Sequence, residues 1–221
     1  MKTIKKIISK YFDLSYKART LITSKGSIIY NATSAIVRLV LGYVFKSIFF
    51  VIGGTYSAGL SIIRIIYLRS DKVSPEEERK YFLMMNITLF ITTLFYIGNT
   101  IKYFITPDVY NYQLLIGIAI AIFGFVDLTI AIIGLMRTNK ENDLMFTGIK
   151  LVSLTSAFTS LALTQAALLS SDGFLNNIDN SFYIGVGGLF FGGLNIIICI
   201  IMFVIYLKSR SKHKELTKTT L

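Results

Sequence analysis

The residues of this sequence that could do chemistry are ionisable side chains set inside apolar stretches. Asp127 lies well inside one such stretch, and Lys46 and Lys150 lie near the edges of two others. A charged group in hydrocarbon is costly, so such residues line solute pathways or pair with one another. We treat all three as candidate substrate-binding residues, although Asp127 also has a structural interpretation, paired with a buried cation or protonated. Arg64, close to Arg69, is expected to snorkel to the head groups.

Hydroxyl residues recur at steps of three and four along residues 144–170, so they share one face of a predicted helix. They are Ser153, Ser156, Ser160 and Thr164, with Gln165 beside the last. Such a face lines a polar path or packs against a neighbouring helix, and packing is the more frequent role, because small hydroxyl residues allow close approach. We add Ser156, Ser160 and Gln165 to the candidate substrate-binding residues, with both interpretations open.

Motifs of common catalytic and metal sites are absent from the sequence. The chain has one His, His213, and one Cys, Cys199. It contains no HExxH, GxSxG or Cys-x-x-Cys, no phosphate-binding Gly-rich motif with its Lys, and no TVGYG filter. Asp127 alone lacks an evident partner acid, base or metal. The sequence therefore predicts a protein that is not an enzyme and that has neither a metal site nor a cofactor.

The chain is apolar and basic at once. Of its 221 residues 53% are hydrophobic and 16% are charged, the mean hydropathy is +0.63 and the formal net charge is +11. Soluble domains carry about a quarter charged residues, and nucleic-acid binders need a continuous basic surface. We therefore predict no nucleic-acid partner, and expect a multi-pass membrane protein whose positive charge lies in its loops.

Four stretches are long enough to cross a bilayer, which takes roughly 20 apolar residues. They cover residues 81–104, 112–136, 144–170 and 182–207. Residues 27–68 form a further apolar stretch that would be roughly 60 Å long as one helix, about twice the hydrocarbon thickness. Two crossings near 27–45 and 47–68 give an all-α, polytopic transmembrane bundle of six spans. An interfacial helix to about residue 40 and one span give five.

Basic residues favour six spans. Residues 1–26 hold seven Lys or Arg, and the tail after residue 207 holds five, whereas the loops around Pro107 and Gly173 hold none. Cytoplasmic loops are enriched in Lys and Arg, so both termini are expected in the cytoplasm, which requires an even number of crossings. The weak feature is the turn near Lys46, which has no Pro or Asn.

The chain divides into three parts. Residues 1–26 form a basic cytoplasmic or interfacial segment, residues 27–207 the transmembrane bundle, and residues 208–221 a basic cytoplasmic tail. In the first segment Ile4, Ile7, Ile8, Tyr11 and Phe12 recur among lysines. This pattern is typical of a basic amphipathic helix, so anionic lipids of the cytoplasmic leaflet are the expected partners. A frayed basic tail is the alternative interpretation.

Two functions are compatible with these features. The first is a small-solute or ion transporter, or a substrate-binding membrane subunit, with Asp127, Lys46 and the hydroxyl face at its site. The second is a non-catalytic structural or regulatory component that packs against a membrane partner or a second copy through Gly188 and Gly192. We favour the first, because a buried Asp with several embedded cations is more than packing requires.

Several segments resemble a group of small multi-pass membrane proteins of Firmicutes. They are Tyr30-Asn31-Ala32, Lys46-Ser47, the stretch from Gly54-Thr55-Tyr56 to Arg64, and Ser153-Leu154-Thr155-Ser156-Ala157 through Leu163-Thr164-Gln165-Ala166-Ala167. The similarity covers most of the chain from about Tyr30 onward. It implies a multi-pass protein of the bacterial cytoplasmic membrane and assigns no catalytic or binding residue.

Overall fold

A bundle of long helices makes up the part of the chain that the structure describes. The structure is a computed structural model, and it describes residues 16–44, 46, 48–71, 73–105, 118, 122, 125–126, 128–129, 131–133, 135–136, 143–169 and 180–219. The complete helices are α1 (Tyr16–Val44), α2 (Ile48–Arg69), α3 (Pro75–Ile105), α4 (Leu144–Leu169) and α5 (Asn180–Thr219). The described residues between 118 and 136 are all helical. Asp127 and the turn at Pro107 lie outside the described residues.

Each of the five helices is long and apolar enough to cross a membrane. Their outer surface is apolar, as Tyr43 (86% exposed), Ile29 (70%) and Phe190 (62%) illustrate, whereas Asn31 and Asn195 are buried. This distribution suits a hydrocarbon solvent, in which polar side chains turn toward the interior of the bundle. The predicted fold class, an all-α transmembrane bundle, is confirmed, and the chain is a multi-pass membrane protein.

The N-terminal third forms two helices, as the six-span interpretation predicted. α1 ends at Val44, α2 begins at Ile48, and Lys46 between them has a φ of 50°. Positive φ is most often adopted by Gly and Asn. A lysine adopts it at a cost in backbone energy. α1 also begins earlier than the first predicted crossing near residue 27, because its first turns place hydroxyl side chains toward the interior.

Lys46→Gly is expected to stabilise the turn between α1 and α2 by up to about 1 kcal/mol, because Gly adopts positive φ without a Cβ clash. Lys46→Val is expected to destabilise the protein, since a β-branched residue is strained there. Thermal unfolding midpoints of the two variants and the unchanged protein in one detergent test this order. A Lys46→Val variant at least as stable as Lys46→Gly would contradict it.

The sequence Ser74-Pro75-Glu76-Glu77-Glu78 starts α3, as expected for Pro and carboxylates in a first turn. The backbone N–H of Glu77 donates to Ser74 Oγ at 3.4 Å, and the backbone N–H of Ser74 donates to Glu77 Oε2 at 3.4 Å. This reciprocal pair is a capping box. At the start of α4 the backbone N–H of Phe146 donates to Asp143 Oδ1 at 2.8 Å.

α3 is central in the described bundle. It packs against α2, α4 and α5, while α1 packs chiefly on α2 and α4 packs on α5. The buried core between these helices includes Phe82, Met85, Phe146 and Met202. α1 therefore lies at the periphery, and its inner face is closed by α2 with help from α4.

The bundle has two ends, which differ in the helix termini that they bring together. One small cavity is lined by Leu21, Ser70, Glu78 and Asp143. The start of α1, the end of α2, and the starts of α3 and α4 thus lie together at what we call the proximal end. At the opposite, distal end the rings of Phe104 and Phe182 meet edge to face, with centroids 5.6 Å apart. α5 therefore runs antiparallel to α3 and returns the chain to the proximal end.

Candidate polar cavity within the bundle

Three helices turn stripes of polar side chains toward one another. On α1 the stripe advances by four and three residues in turn, on α2 it is shorter, and on α4 it is the hydroxyl face. The members are Thr20, Ser24, Ser27, Asn31, Ser34 and Arg38 on α1, Ser57, Ser61 and Arg64 on α2, and Ser153, Ser156 and Ser160 on α4. Steps of three and four keep these side chains on one face of each helix.

The stripes enclose a cavity of about 370 Å³ toward the proximal end, which we call the proximal cavity. It is lined by Thr20, Thr23, Ser24, Ser27, Tyr30, Asn31, Arg64, Ala131, Ile149, Lys150, Ser153, Ser156 and Ala157. Two of these residues are cations and most of the others carry a hydroxyl or amide group. The lining is therefore far more polar than the outer surface of the same helices.

A second cavity of about 230 Å³, the central cavity, adjoins the first, since Tyr30, Asn31 and Ser156 line both. Its other lining residues are Ser34, Arg38, Gly53, Tyr56, Ser57, Leu60, Thr159, Ser160 and Leu163. Along α1 the two cavities extend from Thr20 to Arg38, which is about 27 Å at 1.5 Å per residue. This length approaches the hydrocarbon thickness of about 30 Å.

Lys150 contacts Thr20 of α1 and Phe146 of its own helix at the proximal cavity. Its Nζ donates a hydrogen bond to Thr20 Oγ1 at 3.0 Å and lies 5.2 Å from the centroid of the Phe146 ring. An ammonium group at this distance from a ring face is attracted by the ring quadrupole. The half-buried Lys150 therefore links α4 to α1 and presents its charge to the cavity.

The two arginines of the cavities come from different helices. Arg64 of α2 is half-buried and lines the proximal cavity. The facing polar stripes give its guanidinium polar neighbours there, and its snorkelling to the head groups stays a prediction. Arg38 of α1 lies over Gly53, where a Cβ would be 2.8 Å from Arg38 Nη1. Gly53 thus leaves the space that the guanidinium needs.

Three of the predicted site residues come together. Lys150 lines the proximal cavity, Ser160 lines the central cavity and Ser156 lines both. Asp127 lies outside the described residues. Ala131, four residues further along the sequence, lines the proximal cavity.

Lys46 and Gln165 lie apart from the two cavities. Lys46 forms the turn at the distal end and lines a separate groove there. Gln165 Nε2 donates to the backbone oxygen of Tyr183 at 3.2 Å, and its amide covers Gly187. Gln165 therefore lies at the contact between α4 and α5.

The pair Gly188 and Gly192 faces α3 of the same chain. A Cβ at Gly188 would collide with Thr100, and one at Gly192 would lie 2.6 Å from Ile97 Cγ1. The sequence suggested that this pair packs against a partner or a second copy. Within the chain the surface is already covered by α3, so the close approach permitted by the two glycines serves the fold.

The polar stripe of α1 was missed by the sequence analysis, which assigned residues 1–26 to an interfacial segment. The signal was present as the spacing of Thr20, Ser24, Ser27 and Asn31, which matches that of the hydroxyl face on α4. Two polar stripes of equal period indicate facing helices, because each offers the other hydrogen-bonding partners.

No protein-family model matches the chain, and neither a curated protein nor a solved structure matches it.

Proposed function

We propose that the protein is a transporter of a small polar solute or ion in the bacterial cytoplasmic membrane, or the substrate-binding membrane subunit of one. The observation that carries the proposal is the proximal cavity of about 370 Å³, which is lined by hydroxyls and two cations between membrane-length helices. Polar and ionisable groups inside a membrane bundle mark solute pathways. Solute sites of secondary transporters lie near the middle of the bilayer, where the central cavity lies along α1.

The size of the cavities supports a small solute. Binding pockets for organic ligands have volumes of about 300–1,000 Å³, so the proximal cavity is at the small end of this range. Lys150 and Arg64 supply charge, and Asn31, Ser153 and Ser156 supply directional hydrogen bonds. Such a lining suits a ligand with several hydrogen-bonding groups. Asp127 belongs to the proposal by its sequence position, and Asp127→Asn is expected to abolish uptake or ligand binding without loss of folded protein.

Orientation follows from charge. The proximal end carries most basic residues of the described helix ends: Arg19, Lys25, Arg69, Arg79, Lys80, Lys208 and Arg210. Lys and Arg are enriched in cytoplasmic loops, so we assign the proximal end to the cytoplasm. The proximal cavity would then lie on the cytoplasmic side and the central cavity near the midplane.

Water access to the cavities is the first test. Ser156→Cys and Ser160→Cys are expected to react with a water-soluble, membrane-impermeant thiol reagent in proteoliposomes, because a polar cavity of this size holds water. The buried native Cys199 gives the baseline rate. Phe190→Cys, which faces the lipid, is the matched control and is expected to stay unreactive. Labelling of Ser156→Cys no faster than Cys199 would overturn the proposal.

Ligand binding is the second test. Amino acids, monosaccharides, nucleosides and inorganic anions are screened for a rise in the unfolding temperature, since a ligand that binds only the folded state stabilises it. The rise is expected to disappear in Lys150→Gln and to persist in Lys208→Gln, whose side chain is exposed on α5. A solute that raises the unfolding temperature of both variants equally binds elsewhere, and this result would contradict binding at the proximal cavity.

A further inference from the structure

The distal end carries a groove of about 640 Å³ between α1, α2 and α3, which we call the distal groove. Its polar lining comes from Lys46, Lys102 and Asn99, and its apolar lining includes Tyr43, Val44 and Val51. Among the described residues, the groove shares no lining residue with the proximal or the central cavity. A ligand in the groove therefore contacts none of the described residues that line the proposed transport site.

The two lysines are exceptions to the charge distribution of the chain. The sequence has no Lys or Arg between Lys102 and Arg137, and none between Lys150 and Lys208. Basic residues are thus sparse on the distal side. Lys46 and Lys102, 56 positions apart in the sequence, nevertheless line the same groove. This convergence brings two positive charges together on the side where cations are rare.

The backbone conformation of Lys46 is also unusual for a lysine. A φ of 50° suits Gly or Asn, and a Lys adopts it at a cost in backbone energy. The turn itself does not require an ammonium group. A residue that keeps a costly backbone conformation and projects a cation into a groove points to a role for that cation.

The combination of groups indicates the class of ligand. Two ammonium groups and an amide suit a phosphate diester, and the adjoining Val44, Val51 and Tyr43 suit acyl chains at the membrane surface. We propose that the distal groove binds the head group of an anionic phospholipid in the leaflet at the distal end of the bundle. Lys46 and Lys102 neutralise the phosphate, and the apolar wall receives the first methylenes of the lipid.

A tryptophan reporter can test this assignment, because the chain contains no Trp. Tyr43→Trp places a single indole in the groove at a residue that is 86% exposed. The protein is reconstituted in phosphatidylcholine bilayers that contain a small fraction of brominated phosphatidylglycerol, whose bromines quench indole fluorescence. We expect quenching above that given by an equal fraction of brominated phosphatidylcholine. Phe190→Trp, on the lipid-facing side of α5, is expected to show no such preference.

The lysines are then changed in the Tyr43→Trp background. Lys46→Gln with Lys102→Gln is expected to raise the phosphatidylglycerol fraction for half-quenching by about thirtyfold, and each single change by about fivefold, at about 1 kcal/mol per basic group. Lys46→Arg with Lys102→Arg is expected to keep the preference. Lys208→Gln with Arg210→Gln, at the other end of the bundle, is the matched control and is expected to have no effect on this reporter.

Three results would overturn the proposal. Equal quenching by the two brominated lipids would show that the groove holds bulk lipid without selection. Unchanged selectivity after loss of both lysines, or in either folded single variant, would remove the charge argument. Displacement of the lipid by soluble glycerol phosphate at millimolar concentration would show that the occupant is a free phosphate ester. Helicity by circular dichroism verifies that each compared variant is folded.

Discussion

Gly192→Leu is expected to destabilise the bundle by about 3 kcal/mol, because the new side chain has no space against α3. A Cβ at this position would lie 2.6 Å from Ile97 Cγ1 and 3.3 Å from Tyr96 Cε1. Ile97 has a stiff, branched side chain, and Tyr96 is almost fully buried, so neither can move without shifting a helix. The measurement is the unfolding midpoint in detergent, together with the yield of monodisperse protein.

The neighbouring glycine provides a matched control. A Cβ at Gly193 would meet open space, and the residue is exposed on the same turn of α5. Gly193→Leu makes the same chemical change one position along and is expected to be neutral or to stabilise by up to about 1 kcal/mol, as Gly is a poor helix former. Equal losses in the two variants would show that α5 does not pack on α3 through the Gly192 face.

Ser156→Phe is expected to abolish solute binding and uptake while the protein stays folded. Ser156 lines both the proximal and the central cavity, so a benzyl group there occupies the space in which they adjoin. Unlike the side chain added in Gly192→Leu, this benzyl group extends into an open cavity, so the destabilisation by overpacking is small. The readout is the thiol reactivity of Ser160→Cys in the central cavity, which is expected to fall to that of the buried Cys199.

The control for Ser156→Phe is Val186→Phe, which adds a similar ring on the exposed face of α5. It is expected to leave the reactivity of Ser160→Cys and any solute stabilisation unchanged. If Ser156→Phe keeps full reactivity at Ser160→Cys, water enters the central cavity by another route. The proposed path from the proximal cavity would then be wrong.

The sequence was sufficient for much of the fold. The length and composition of the apolar stretches predicted the long helices, and the capping sequence at Ser74 predicted the start of α3, because both signals are local. The distribution of basic residues between the loops favoured two helices over one in the N-terminal third. The turn at Lys46 carried no local signal, since nothing in its residue type indicates a positive φ.

The site was predictable only in part. Lys150, Ser156 and Ser160 were found from charge and spacing on a single helix. The partner stripe of α1 was hidden because its polar residues lower the apolarity of the first turns, so those turns were assigned to the interface. The position of Arg64 beside the facing stripes of α1 and α4 was likewise not indicated by its sequence, in which only its nearness to the span end is visible. Such pairings depend on which helices are neighbours, and composition does not encode that directly.

α1 lines both cavities and packs chiefly on one other described helix, α2. In its most apolar window 17% of the residues are buried, against 61% in the corresponding window of α2. It is tied across the interface by the contact of Lys150 with Thr20 and by a 3.5 Å hydrogen bond from Ser61 Oγ to the backbone oxygen of Ile28. Because α1 lines both cavities and packs chiefly on α2, a substitution that shifts α1 against α2 changes the shape of both cavities at once.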